Sequence, residues 1–410
     1  MKRILLLLSL FVVSITNAQN LSNSIVIGTI DSVYSKVLKE QRKIWVSVPN
    51  SDPNNIFSKQ NYPVVYLLDG DAHFYSVMGM IQQLSEVNGN TVYPQMIVVG
   101  IPNTDRMRDL TPTHSVTSPF GGGDFDKTSG GGENFTSFIE KELIPHIDSL
   151  YPTAPYRVFI GHSLGGLMVI NTLINHPQLF NSYIAIDPSM WWDDQKLLKK
   201  ASAGLSGKNY KDKSLFLAVA NTMKTGMDTL LVKKDTGSAT IHIRSNLQLA
   251  NILKNMQSNG LHWAYKYYNE DDHGSVPLIA EYDAMHFLFS KYKMPSFENL
   301  FDSSFNADSA ITAHFKNVSR QMGYKILPPE SVINSLGYAF MQNNMPGKAY
   351  TFFKMNVDNY PTSFNTYDSM GDFYESKGEK NKAIEYFSKA LSLKDNPDTR
   401  QKLEKLKISK

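Results

Sequence analysis

Five residues constrain this chain more than any others. Gly161-His162-Ser163-Leu164-Gly165 lies between the strand-like run Arg157–Ile160 and an apolar stretch from Leu164 to about Asn175. A strand that turns sharply through a serine and runs straight into a helix is a nucleophile elbow. Glycines two places either side of Ser163 are needed because such a turn brings backbone against backbone. The helix start also aims amide N–H groups and a partial positive charge at the serine. A serine in an ordinary glycine-rich turn is the competing reading, and the strand before and helix after weigh against it.

A serine hydroxyl attacks only when a base takes its proton. His273, in Asp271-Asp272-His273-Gly274-Ser275, follows the candidate strand Trp263–Tyr268, where the base belongs. His262 precedes that strand, His286 lies in the next helix, and His162 is expected to point away from the nucleophile. For the acid, the loop after the penultimate strand Leu215–Ala220 offers Asp228 as first choice. Asp187, which ends the strand before, is second; Asp235, Glu270 or a Ser–His pair without an acid stay open. One oxyanion donor would be the Leu164 N–H, and another the backbone of Gly70 or Asp71 in the loop Leu68-Asp69-Gly70-Asp71-Ala72. Trp191 and Trp192 follow a strand on the same edge and are candidates for the wall of a substrate pocket, with core packing as the alternative.

The glycine-rich stretch from Gly121 to Gly132 lacks the Lys and Ser/Thr of a phosphate-binding loop and reads as a mobile loop near the site mouth. With no cysteine and no metal-ligand spacing of His, Asp or Glu, no metal site is expected.

Candidate strands at Ser24–Ile30, Lys43–Val48, Val64–Leu68, Met96–Gly100, Arg157–Ile160, Tyr183–Ile186, Leu215–Ala220 and Trp263–Tyr268 alternate with amphipathic helices such as Phe135–Leu150. This alternation predicts an α/β domain of about eight mostly parallel strands, covered on both faces. From Val332 the period changes. Ile333, Leu336, Gly337, Phe340, Ala349 and Phe353 recur 34 residues later as Tyr367, Met370, Gly371, Tyr374, Ala383 and Phe387, the tetratricopeptide period. Two repeats alone bury little surface, so an earlier helix pair or docking on the larger domain is expected. The expected division is 1–18, 19–295 for the α/β domain, 296–330 as connector and 331–410 for the all-α repeats, ending in a solvated helix.

Lys2 and Arg3, the apolar run Ile4–Val13, and Thr16 and Ala18 before Gln19 have the layout of a secretory signal peptide, too short to span a bilayer. The expected location is therefore outside the cytoplasm, periplasmic or secreted, in a bacterium. A lipid anchor of the cysteine-linked type is not expected. Without Lys2 and Arg3, the 41 basic residues become 39 against 38 acidic ones. That balance gives no electrostatic reason to bind nucleic acid or anionic lipid, and no membrane span is expected.

The region from about 25 to 290 resembles the esterase D group of α/β-hydrolases. That group includes siderophore (enterobactin-type) esterases, feruloyl esterases and S-formylglutathione hydrolases. The resemblance rests on Tyr66-Leu67-Leu68-Asp69-Gly70, Val98-Val99-Gly100-Ile101-Pro102-Asn103, Arg106-Met107-Arg108-Asp109-Leu110-Thr111-Pro112, the serine motif, Pro188-Ser189-Met190-Trp191-Trp192 and His273-Gly274-Ser275. It implies an α/β-hydrolase fold and cofactor-free ester hydrolysis through an acyl-enzyme, with Ser163 and His273 as nucleophile and base. Exported members with attached repeats look most like the siderophore-esterase branch. The expected partner is thus a small-molecule or acylated-carbohydrate ester, with a protein partner for the repeats. The rivals are an acyltransferase using the same Ser–His pair and a non-catalytic binding protein working through its repeats.

Overall fold

The apolar runs assemble into one eight-stranded sheet in a computed structural model that describes residues 25–49, 55–118, 127–296 and 299–408. The amino-terminal segment read as a signal peptide and the first half of the glycine-rich stretch lie outside the described residues. The strands are β1 Thr29–Ser35, β2 Glu40–Ser47, β3 Tyr62–Leu68, β4 Ile97–Ile101, β5 Thr153–His162, β6 Ser182–Ile186, β7 Ser214–Ala220 and β8 His262–Tyr268. They lie side by side in the order β1-β2-β4-β3-β5-β6-β7-β8. β1–β2 and β2–β4 are antiparallel, and every other pair is parallel.

The first strand differs from expectation. The apolar run Ile25–Ile27 suggested a strand at 24–30, whereas β1 begins at Thr29. β1 is an edge strand: Ile30 and Tyr34 face solvent while Val33 and Ser35 are buried. An edge strand needs only one apolar face, so its sequence carries little signal.

The helices are α1 Gly70–Ser85, α2 Arg106–Leu110, α3 Gly132–Phe138, α4 Ile144–Leu150, α5 Leu164–Asn175, α6 Trp192–Ser206, α7 Ile241–Asn255, α8 Val276–Leu288, α9 Ala307–Met322, α10 Glu330–Gln342, α11 Pro346–Asn359, α12 Phe364–Ser376, α13 Lys380–Leu393 and α14 Pro397–Ile408. Successive strand residues point to opposite faces, and two separate cores follow from this. Val64, Tyr66 and Leu68 pack with α3–α7. Val65 and Leu67 pack with α1 and α8 on the other side. The predicted helix 135–150 is split by a π turn, Ile139–Leu143, just before Pro145, whose missing N–H breaks the regular ladder.

The repeats are α10–α11 and α12–α13. A Cβ on Gly337 would stand 2.6 Å from the Phe353 ring, and one on Gly371 would stand 2.6 Å from the Phe387 ring. The 34-residue period is therefore the recurrence of one helix–helix contact. The terminal helix α14 is amphipathic rather than wholly solvated, with Leu403 and Leu406 buried in the repeat core.

The segment expected as a connector contains α9. Val318 and Met322 of this helix complete the core beneath α8, while Ala307, Ile311 and Phe315 belong to the core of the repeats. A buried carboxylate adds a second tie: Glu330 accepts from Ser58 N at 2.8 Å and from Ser363 Oγ at 2.7 Å. Among the described residues no helix is long and apolar enough to cross a membrane.

Candidate active site

Ser163 caps α5 with φ 59° and ψ −116°, a region that costs a non-glycine residue about 1–3 kcal/mol. The turn is held by its surroundings. Ser163 N donates to Ile186 O at 3.0 Å, Ser189 N donates to Ser163 O at 2.9 Å, and a Cβ on Gly161 would meet the Gly165 carbonyl at 2.4 Å. Behind it, eleven of the twelve α5 residues are buried, as expected of a helix apolar all round.

Sheet register sets the partners. His162 of β5 pairs with Ile186 of β6, so the next residues, Ser163 and Asp187, leave the sheet side by side. Asp187 has φ 39° and donates its N–H to Ala218 O at 2.8 Å, which turns its side chain back under the strand ends. His273 enters from the loop after β8. Its Nδ1 lies 2.6 Å from Asp187 Oδ2 and its Nε2 lies 3.1 Å from Ser163 Oγ.

Asp187 is fully buried. Burial works to raise its carboxyl, but hydrogen bonds from His242 and His273, together with their charge when protonated, overcome this and hold it well below the usual carboxylate range. An ionised carboxylate only accepts. His273 therefore carries its proton on Nδ1 and turns the Nε2 lone pair to the serine.

Asp228, the first choice for the acid, is elsewhere. Its Oδ1 accepts from Leu230 N at 2.8 Å and Leu231 N at 2.7 Å, closing a local turn. The physical reason is reach: Asp187 is one residue beyond β6, whereas Asp228 is eight beyond β7. Asp235 likewise caps its own turn, through Thr236 N, Gly237 N and Thr240 Oγ1. Trp192 is buried in the core with Nε1 donating to Thr113 O at 2.9 Å, which removes it from the pocket wall. Trp191 is only partly buried against the same core.

Two helix starts meet near Ser163. Asp69 adopts left-handed φ 51°, and its carbonyl takes the N–H groups of Ala72 and His73. Gly70 and Asp71, the first residues of α1, are left without helical acceptors, as is Leu164 at the start of α5. The Asp69 carboxylate holds this loop. It receives Arg106 Nε at 2.6 Å and Asn103 Nδ2 at 2.7 Å, and a Cβ on Gly165 would lie 3.1 Å from it. Arg106 thus has a positional reason, as do Arg108 and Asp109, which bind Glu40 and Arg42 and fix α2 to β2.

Ser189, His242, Asn246 and Glu281 had been given no role from the sequence, and His162, expected to point away from Ser163, packs beside His273. Ser189 Oγ lies 3.2 Å from Ser163 Oγ. His242 and Asn246, one turn apart on α7, both reach Asp187. The ring of His162 lies 4.5 Å from that of His273, and burial, with His273 and His73 nearby, pushes its imidazole down to about 3. Glu281 of α8 is buried beside Ser76 Oγ at 3.2 Å and His73 Nδ1 at 3.7 Å. Only the four-residue spacing of His242 and Asn246 could have been read in advance, as one face of a helix.

Burial pushes the Glu281 carboxyl up to about 8. The unfolded chain ionises this group near 4.5 while the folded chain keeps its proton, so the folded state loses stability as pH rises from about 4.5 through about 8. Glu281→Gln should therefore stabilise the protein at pH 7–9 by up to a few kcal/mol, because each pH unit between the unfolded and folded titrations is worth about 1.4 kcal/mol. The gain should vanish near pH 4.5. Urea melts of parent and variant across this range test it, and a gain independent of pH would contradict the burial argument.

The family described as "Putative esterase" matches residues 35–274, more than half of the chain and a span containing Ser163, Asp187 and His273. The chain belongs to this esterase family. A tetratricopeptide-repeat family also matches, at residues 364–397, which hold α12 and α13. Among curated relatives of the esterase, the ferri-bacillibactin esterase of Bacillus subtilis is 34% identical over 192 residues, 43% of this chain and 63% of that protein. The siderophore enterobactin esterase of Emericella nidulans is 30% identical over 155 residues, 35% of this chain and 51% of that protein. The chain thus spans between about half and just under two thirds of the length of these relatives. A solved IroE-like serine hydrolase from Shewanella oneidensis shares its fold at a TM-score of 0.67 and 30% identity, covering 81% of this chain and 99% of that one.

Proposed function

We propose that this chain is an exported serine esterase that cleaves a carboxylic ester through an acyl-enzyme, with a siderophore ester as its substrate class. The observation that carries the reading is the continuous hydrogen-bond line Ser163–His273–Asp187. Ser163 Oγ bonds to the ester carbonyl carbon as its proton passes to His273 Nε2. The carbonyl electron pair moves onto oxygen, where the N–H groups of Leu164 and of Gly70 or Asp71 receive it. The intermediate collapses, the leaving alkoxide takes the proton from His273, and water repeats the sequence to free the acid. Similarity to the bacillibactin and enterobactin esterases favours the siderophore class. The amino-terminal pattern around Ala18 supports export, and the repeats offer a surface for a protein partner.

The test is turnover of a chain-length series of p-nitrophenyl esters beside bacillibactin and enterobactin, followed by a fluorophosphonate and mass spectrometry. The expected result is ester cleavage with gain of one water per bond, and one phosphonyl group on the peptide bearing Ser163. The same spectra should show the mature protein beginning at Gln19. Labelling on another residue, or a folded protein that cleaves none of these esters, would overturn the reading.

A further inference from the structure

We propose that His242 is a positioning residue that donates to the same oxygen of Asp187 as His273, dividing the hydrogen-bonding capacity of the acid and so weakening what Asp187 offers the base. The proposal rests on the serine-esterase reading and adds a residue to it. Asp187 receives four donors. Ala220 N at 3.1 Å and Asn246 Nδ2 at 3.0 Å hold Oδ1, while His242 Nε2 at 2.8 Å and His273 Nδ1 at 2.6 Å share Oδ2. Both imidazoles therefore draw on one oxygen atom. The His242 ring also stands edge-on to that of His273, with centroids 4.9 Å apart and planes at 83°, so each fixes the tilt of the other.

A general base works best when it is largely unprotonated at the operating pH and still takes a proton readily. A buried carboxylate with a single imidazole partner stabilises the imidazolium strongly and pushes its protonation to higher pH. A second donor on the same oxygen lowers the electron density offered to the first and weakens that effect. The remaining groups that face His273 are Ser163 and His162 from the β5–α5 turn and Asp272 from its own loop. His162 is held neutral by burial, and Asp272 is occupied by the backbone N–H groups of Gly274 and Ser275. His242 is thus the group beside the acid whose removal changes what Asp187 offers. Asn246 anchors the other oxygen and keeps Oδ2 turned to both rings.

The test reads the titration midpoint of His273 by NMR of histidine-labelled protein, assigned by its absence in His273→Ala, so it requires no turnover. In His242→Leu the midpoint should rise by about half to one pH unit, while His242→Gln, whose amide can donate to Oδ2, should stay within about 0.2 unit. In the active protein the acidic limb of kcat/KM should move up by the same amount. A midpoint that stays put or falls in His242→Leu would show that His242 only fills space. Should that variant fail to fold, the parent still decides: two imidazole N–H protons held by one carboxylate should both resonate far downfield, and finding a single one overturns the proposal. A chain that cleaves no ester but shows these titrations would defeat the esterase reading alone.

Discussion

Ser163→Ala should lower kcat/KM for any ester the parent cleaves by at least about 10⁴-fold, which corresponds to some 5–6 kcal/mol of lost transition-state stabilisation. The expectation follows from position. Ser189, whose hydroxyl is 3.2 Å away, bonds to Ser163 rather than to His273 and is not placed to take over. The fold should be unaffected, since alanine fits where Ser163 stands and the backbone bonds to Ile186 O and from Ser189 N remain. Relief of the serine's φ 59° is not expected, because alanine is strained there too. Circular dichroism and a thermal melt should match the parent while steady-state rates collapse. Activity within tenfold of the parent would remove Ser163 from the mechanism.

Asp187→Asn should cost about 10³–10⁴-fold in kcat, whereas Asp228→Ala should stay within about threefold. All four groups around Asp187 donate, so an amide placed there must set its own NH₂ against at least one of them. If the NH₂ faces Oδ2's partners, His273 is driven to carry its proton on Nε2 and can no longer accept from Ser163. If it faces Oδ1's partners, Ala220 N and Asn246 lose their acceptor and the side chain is dislodged. Either arrangement disables the base without removing it. Asp228 holds only the N–H groups of its own turn. Rates measured for the two variants side by side separate the assignments, and equal losses would mean that the loop after β7 takes part in catalysis.

The sharp turn at Ser163 was legible because its requirements are local: a strand, a tight turn and a helix within about twenty residues. Strands β3 to β7 were legible for the same reason, since burial on both faces writes apolar runs, whereas β2 alternates buried and exposed residues. The acid was not. Asp187 and Asp228 both follow strands next to the nucleophile's side of the sheet, and the choice depends on how the His273 loop leans across 86 residues of separation. His242 was hidden more deeply, as one histidine on an amphipathic helix whose partner lies 55 residues away. The tryptophan pair divided, Trp192 fully inside and Trp191 only partly covered by the same core, and no feature of Trp191-Trp192 says which. The repeats could be read because evolution had written the same contact twice, Gly337 on Phe353 and Gly371 on Phe387.

The two-faced helix α9 bears on how such a chain can be assembled. Its Val318 and Met322 finish one core, and its Ile311 and Phe315 finish another, with Gln321 Nε2 bonded to Leu288 O at 2.6 Å. A crossover upstream of Ala307 would hand the esterase sheet an unfinished layer, and one downstream of Met322 would deliver repeats lacking their first apolar cover. The natural seam for exchanging parts is therefore not a linker. Repeats moved to another sheet would need this helix moved with them, because it carries cover for both cores.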